Sequence, residues 1–337
     1  MRAVSRFRVL RRVPPASGGA VMATGILSVG LHLTGHETLS LVGLVLAAAA
    51  WVILAGACVI QLITAPTGWE AEADTPPALT AVAATCVLGT RLALLGWRPA
   101  AVGLLIVAAA VWPVLLPGVL RHLRGRMPGS VFLVCVATQA LAVLSATLAA
   151  VLGGAGWLIW AALVFFALGL LLYGVALACF DFGQVVRGAG DHWVAGGALA
   201  ISALVAAKLT AWQGFAGSWH QALRAVALLL VGCDLAWVLV LAGAEALRPR
   251  LRYDIRRWST VFPLGMSAVA CLTAAGAAGV AALSTVGQVL LWCGVAVWTA
   301  TAAGAVRELA GTLRRPAPTR AANAPKRDNP DKRGESQ

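Results

Sequence analysis

Apolar residues run along this chain in continuous stretches of about twenty positions, which are separated by short segments rich in Gly, Pro, Trp and Arg. A stretch of that length crosses the ~30 Å hydrocarbon core of a bilayer as an α-helix. The strands of a membrane barrel would instead alternate polar and apolar positions. The pattern therefore predicts ten membrane-spanning helices, at residues 17–35, 39–64, 77–97, 99–120, 128–152, 156–181, 193–213, 219–245, 258–281 and 283–306.

Composition excludes a water-soluble domain. Of the 337 residues, 60% are hydrophobic and only 12% are charged, whereas a soluble domain carries about 25% charged residues. The sequence divides into a basic cytoplasmic N-terminus (1–13), a transmembrane transport domain (14–307) and a basic tail (308–337). The tail lacks periodicity, and we expect it to be disordered and held near anionic lipid by its charge.

The net charge of +13 comes from arginine and lysine placed between the apolar stretches and at both ends of the chain. Cytoplasmic loops of membrane proteins carry the excess of these residues, so we expect a multi-pass protein of the cell membrane and no nucleic-acid partner. Ten spans with both termini in the cytoplasm put 22 of the 26 basic residues on that side. The acidic loop at 65–76 departs from this pattern, but acidic residues contribute little to the rule.

We expect no cofactor, metal or catalytic residue. The chain has no Gly-rich phosphate loop followed by lysine, no HExxH and no GxSxG. His32 and His36 share a helical face, but a zinc site needs further ligands and only Glu37 is near them in sequence. The seven cysteines lie in apolar stretches, form no CxxC and are interpreted as small core residues.

Three ionisable residues lie inside predicted spans, where each costs at least ~2.5 kcal/mol at the helix centre unless it faces a cavity. Arg91 and Lys208 both lie about 20 Å from the cytoplasmic ends of their spans, which suits an anion path. The alternative is that both side chains extend to the outer headgroups. Asp234 lies at a different depth and either makes a polar contact within the bundle or takes part in proton coupling.

The odd-numbered spans are more polar or more interrupted than the even-numbered ones, which predicts an inner ring of odd helices and an outer ring of even helices. Glycines permit close helix packing, and on an inner helix they also permit a pore wall without side chains. Pro263 should bend the ninth span. The candidate pore-lining residues are Gly25, Thr138, Gln139, Gly196, Gly197 and Gly265.

Four segments in order resemble a known family: PPASGGAVMATGILSVGL at 14–31, VATQALAVL at 136–144, DHWVAGGALAISAL at 191–204 and RRWSTVFPLGM at 256–266. The chain is similar to the tellurite-resistance/dicarboxylate-transporter family, which includes the plant guard-cell slow anion channels and the fungal malate permease. The resemblance implies an all-α membrane fold of five helical hairpins, with the odd helices around a central pore in each protomer of a homotrimer.

The resemblance also implies a gate. In the anion channels of the family a phenylalanine before a proline on the ninth helix plugs the pore, and the matching residues here are Phe262 and Pro263. An aromatic plug forms a dry constriction that opens when the ring moves. The chain departs from the channel members just before this point, where Arg256 and Arg257 replace an apolar aromatic run. These arginines predict a basic collar at the inner mouth, which suits anionic cargo.

The leading hypothesis is transport of a small anion, either monovalent (chloride or nitrate) or a C4-dicarboxylate such as malate. The mechanism is either a phenylalanine-gated channel or a proton-coupled carrier. Tellurite resistance is a phenotype of the family and identifies no chemistry in this chain. A membrane-embedded enzyme would require several carboxylates, histidines or a nucleophile at one depth, and the sequence does not provide them. A helical adaptor without transport is the remaining alternative.

Overall fold

The computed structural model describes residues 17–64, 72–250 and 253–314, and these ranges are almost entirely helical. They contain ten helices of fifteen or more residues. The helices are α1 (Gly18–Leu33), α2 (Glu37–Thr64), α3 (Thr80–Leu94), α4 (Arg98–Arg121), α5 (Leu133–Leu152), α6 (Trp157–Cys179), α7 (Val194–Thr210), α8 (Ser218–Leu247), α9 (Trp258–Ala278) and α10 (Ala282–Arg314).

Nine of the described helices are long and apolar enough to cross a membrane, judged by length and composition. The tenth, α1, is apolar but has 16 residues, which is about 24 Å of helix. A 3-10 turn precedes each of α3, α5, α7 and α9, and it lengthens these shorter helices at their first turn. The all-helical membrane class that the apolar pattern predicts is therefore confirmed.

The predicted boundaries differ from the observed ones most at the C-terminal end. α10 continues to Arg314, whereas the sequence placed the end of the tenth span at residue 306. The added segment includes Glu308, Leu309 and Ala310, which favour helix even without packing. The predicted N-terminal segment 1–13, and the tail after Arg314, lie outside the described residues.

Helix packing separates the odd-numbered helices from the even-numbered ones. Consecutive helices pack in pairs, α1 with α2, α3 with α4, α5 with α6, α7 with α8 and α9 with α10. Each odd-numbered helix also packs against two other odd-numbered helices. These contacts form a closed ring in the order α1, α3, α5, α7 and α9, with α9 packing again on α1. We call these five helices the inner ring and the even-numbered helices the outer ring.

Burial follows the same division. In the most apolar stretch of each helix, all residues of α5 and 94% of those of α7 are buried. In the corresponding stretches of α2 and α10, only 17% of the residues are buried. The outer-ring surfaces expose large apolar side chains such as Val45, Ile106 and Leu239. Exposed aliphatic side chains of this kind suit contact with lipid.

Tryptophan–threonine hydrogen bonds join the two rings at three places. The indole N–H of an outer helix donates to the threonine hydroxyl of an inner one, over 2.8–3.0 Å. A buried indole N–H needs such an acceptor, and each pair therefore fixes the rotation of an outer helix against the inner ring. The pairs are Trp51–Thr85, Trp112–Thr138 and Trp298–Thr24.

Candidate functional site

A cavity of about 150 Å³ lies among the helices of the inner ring, and all five of them line it. Its walls are mostly aliphatic, and each inner helix contributes at least two residues. One representative from each helix, in the order α1, α3, α5, α7 and α9, is Val29, Val87, Val143, Leu204 and Val269. The cavity therefore lies at the centre of the ring.

Lys208 of α7 is the one charged residue among those described as lining this cavity. Thr90 and Thr273 also line it, but their hydroxyls donate to carbonyls of their own helices, Cys86 and Val269, at 2.9 and 2.8 Å. In the part of the chain that the structure describes, no hydrogen bond or ion pair reaches the Lys208 ammonium. A cation without a counter-ion in an aliphatic cavity attracts an anion strongly, because the surroundings screen the charge poorly.

Phe262 of α9 lies one helical turn before Met266, which lines the cavity. Residues four apart share a helix face, so Phe262 lies on the same face toward the N-terminal end of α9. Its ring is 2% exposed. A Cβ atom added at Gly197 of α7 would lie 3.0 Å from Pro263 Cγ and 3.3 Å from Phe262 Cε1. The Phe262–Pro263 pair therefore packs against bare backbone of α7.

Arg91 of α3 does not line the central cavity but points to α2. Its side chain is fully buried, its Nε donates to Ser40 Oγ over 2.9 Å, and its NH2 group is 2.5 Å from Glu37 Oε1. Glu37 Oε2 is also 2.6 Å from His32 Nδ1. The Arg91 charge is therefore paired within the protein, and the network ties the ends of α1, α2 and α3 together.

The sequence did not identify Glu37 as the partner of Arg91, although a signal was present. Glu37 is the first residue of α2 and Arg91 lies near the end of α3, so both belong to the same end of the bundle. Unlike charges at one depth of a membrane bundle tend to pair.

Three of the predicted pore-lining glycines bring helices into contact. A Cβ atom at Gly25 would lie 2.8 Å from Val87 Cγ1, and one at Gly265 would lie 2.8 Å from Ile26 Cγ2. Both distances are shorter than van der Waals contact, so these glycines permit α1 to approach α3 and α9. Gly196 faces α8, where Asp234 Oδ1 lies 3.8 Å from its added Cβ atom.

The predicted pore-lining polar residues of α5 face neighbouring helices. Thr138 accepts the indole hydrogen bond of Trp112 at 3.0 Å. Gln139 Nε2 donates to the Phe166 carbonyl of α6 at 3.2 Å and to Ser202 Oγ of α7 at 3.1 Å. Both are fully buried, so the structure places them between helices, while alanine and valine of α5 line the cavity.

The two arginines of the predicted collar are both paired. Arg257 NH1 lies 2.8 Å from Glu245 Oε1, and Arg256 NH2 lies 3.0 Å from Asp254 Oδ2. Hydrogen bonds from Arg256 hold the pKa of the Asp254 carboxyl below its usual value. Glu245 belongs to α8 and also lies 3.5 Å from Arg250, so two carboxylates are shared among three arginines and compensate only part of the positive charge at the start of α9.

Asp234 of α8 is fully buried and forms a polar contact with α9. Its Oδ1 accepts a hydrogen bond from Ser267 Oγ at 3.0 Å. Its Oδ2 is buried without a partner among the described groups. Ser267 lies in the turn after Pro263, so this contact joins the outer ring to the helix that carries Phe262.

The fold and the cavity define an α-helical membrane protein with buried inner helices around a central cationic cavity. Residues 12–306 match the voltage-dependent anion channel family, and the chain belongs to that family. The resemblance found in the sequence is therefore confirmed, and the family is one of channels and transporters.

Two relatives are uncharacterized membrane proteins of Mycobacterium tuberculosis, from strains CDC 1551 and H37Rv. Each is 34% identical to this chain over 131 residues, which cover 37% of the chain and 66% of the relative. The match therefore spans slightly less than two thirds of these relatives and supports the membrane class without indicating a cargo.

Proposed function

We propose that this protein conducts small monovalent anions across the cell membrane through the centre of the inner ring. The observation that carries the proposal is the cavity lined by all five inner helices, with Lys208 as the one charged residue, and one without an ion-pair partner, among the described residues around it. Lys208 attracts the anion, and Phe262 with Pro263 forms the gate, which lies one turn of α9 before the cavity-lining Met266. Family membership supports anion transport as the activity.

The charge of the cavity favours a monovalent anion over a C4-dicarboxylate. A volume of about 150 Å³ has space for on the order of ten water molecules, so size alone would admit either cargo. One ammonium neutralises one negative charge. The second carboxylate of malate would lie against aliphatic walls without a partner, which is strongly unfavourable. Chloride or nitrate avoids this cost.

In the proposed topology α1 to α10 all span the membrane as five hairpins, with both termini in the cytoplasm. The pairwise packing of consecutive helices supports the hairpins. The basic segments between even and odd spans support the orientation. Assembly as a homotrimer, with one pore in each protomer, follows from the family resemblance.

Flux measurements in proteoliposomes test the proposal. We expect anion currents in symmetric chloride that increase when Phe262→Ala removes the ring. Phe166→Ala is the matched control, because Phe166 is a buried phenylalanine of the outer-ring helix α6. Equal effects of the two substitutions would contradict a gate at Phe262, and absence of flux from well-folded protein would contradict transport.

The second candidate is a proton-coupled dicarboxylate carrier, and the buried Asp234–Ser267 contact beside the gate helix favours it. The two candidates differ in electrical behaviour. Electrically silent malate uptake that follows a pH gradient, and that is lost in Asp234→Asn, would support the carrier. Chloride current independent of the pH gradient would support the channel.

A further inference from the structure

A second cavity lies on the lipid-facing side of the bundle, between α2 and α4, and has a volume of about 360 Å³. We call it the lateral crevice. α2 packs mainly on α1, whereas α4 packs on α3 and α5, so the two outer helices leave a gap. Trp51 and Cys58 form the wall on α2, Val107 and Val111 form the wall on α4, and Ala81 of α3 lies on the floor.

The walls of the lateral crevice suit an acyl chain but do not select one lipid over another. Val107 and Ala81 are exposed, so the crevice is open to its surroundings, which in the membrane are lipid tails. Lipid tails are as apolar as these walls, so burial in the crevice brings no hydrophobic gain relative to the bilayer. Selection between lipids must come from a polar group at the edge of the crevice.

Glu72 is the one charged residue among the described residues that line the lateral crevice. It is exposed, and no ion pair or side-chain hydrogen bond to its carboxylate is found in the described ranges. Asp74, two residues further on, differs from Glu72 because its Oδ2 lies 3.9 Å from Nδ1 of His122. Glu72 also lies between α2 and α3, where the chain leaves the membrane, so its carboxylate is at the level of the headgroups.

We propose that the lateral crevice binds a phospholipid with a primary-amine headgroup, of the phosphatidylethanolamine type. One acyl chain lies between α2 and α4, and the headgroup ammonium pairs with Glu72. An anionic headgroup such as phosphatidylglycerol lacks the ammonium and is repelled by the carboxylate. This site is separate from the central cavity and does not depend on anion transport.

The bound lipid contacts the inner ring on the side that faces away from the central cavity. The crevice is also lined by Gly18 and Val21 of α1 and by Ala84 and Thr85 of α3, and both helices line the central cavity as well. Thr85 accepts the Trp51 hydrogen bond at the crevice wall. An acyl chain in this position supplies the packing that α2 and α4 do not provide there.

Native mass spectrometry of the full-length protein, exchanged into mixed vesicles of equal phosphatidylethanolamine and phosphatidylglycerol, tests the proposal. We expect about one retained phosphatidylethanolamine per chain. An exposed ion pair is worth about 0.2–1 kcal/mol, which corresponds to a preference of up to about fivefold. Glu72→Gln should lower this preference toward unity. Ala81→Phe, which fills the floor, should remove the retained lipid.

Ala110→Phe is the control, because Ala110 is an exposed alanine of α4 that does not line the crevice; it should keep the lipid. Equal retention of both lipids by the unmodified chain, or an unchanged preference in Glu72→Gln, would overturn the proposal. Oxidative cross-linking of Cys58 between protomers would also overturn it, since a second copy would then fill the crevice. If Ala81→Phe does not fold, the Glu72→Gln comparison decides alone.

Discussion

The inner and outer rings are both built from apolar helices, but the inner helices are buried in protein and the outer helices are largely exposed. α5 and α6 are consecutive, and both are long and apolar enough to span a membrane, but the apolar stretch of α5 is entirely buried and that of α6 only 28% buried. The difference lies in their polar and small residues. α5 carries Thr138, Gln139, Ser145 and Thr147, all buried, whereas α6 exposes Trp160 and Leu171.

This contrast reflects what holds helices together in a membrane. Apolar side chains gain little by leaving lipid for a helix interface, so close packing and hydrogen bonds must provide the stability. The inner ring therefore provides the hydroxyls that accept indole hydrogen bonds, and glycines such as Gly25 and Gly265 permit its helices to approach closely. The outer ring contributes the tryptophans that donate these bonds and the aliphatic surface that faces lipid.

The largest expected effect concerns the Lys208 ammonium in the central cavity. We expect Lys208→Met to lower anion flux in proteoliposomes at least about tenfold, since a single unscreened charge contributes several kcal/mol to holding an anion. Lys208→Arg should retain most of the flux. Unchanged flux in Lys208→Met would show that the ammonium is not on the anion path.

The next prediction compares the change in stability caused by alanine at two glycines, one in each ring. We expect Gly265→Ala to destabilise the protein by about 1–3 kcal/mol, because the added Cβ meets Ile26 and Leu27 of α1. The Cβ atom of Gly232→Ala in α8 meets no atom of the described residues within 4 Å, so this substitution should stabilise the protein by about 0.4–1 kcal/mol. Thermal unfolding in detergent measures both, and equal shifts would contradict the close contact of α9 with α1 at Gly265.

The smallest effect concerns the hydrogen bonds between the rings. Trp112→Phe keeps most of the apolar side chain and removes the N–H that Thr138 accepts, so we expect a loss of about 0.5–1.5 kcal/mol. Trp157→Phe is the control, because Trp157 is 69% exposed and no hydrogen bond of its indole is found among the described residues. A loss of equal size in both variants would indicate that the indole hydrogen bonds contribute nothing specific.

The two cations predicted at one depth have different roles in the structure, and the sequence could not separate them. Arg91 is paired with Glu37, whereas Lys208 lines the cavity and has no ion-pair partner in the ranges that the structure describes. Depth along a helix follows from counting residues, but the direction of a side chain around the helix depends on which neighbours pack there. The same reason explains why Gly25, Thr138 and Gln139 lie between helices although they were expected to line a pore.

The sequence by itself determined that this is a helical membrane protein, where most of its helices lie and to which family it belongs, because each of these depends on local apolar runs and short motifs. The polarity of the odd-numbered spans also predicted that they form the inner ring, but only the tertiary structure decided that their common cavity carries Lys208 and that Glu37 neutralises Arg91. These features depend on helix rotation and on contacts between distant residues, which apolar periodicity does not encode when nearly every position of a helix is apolar.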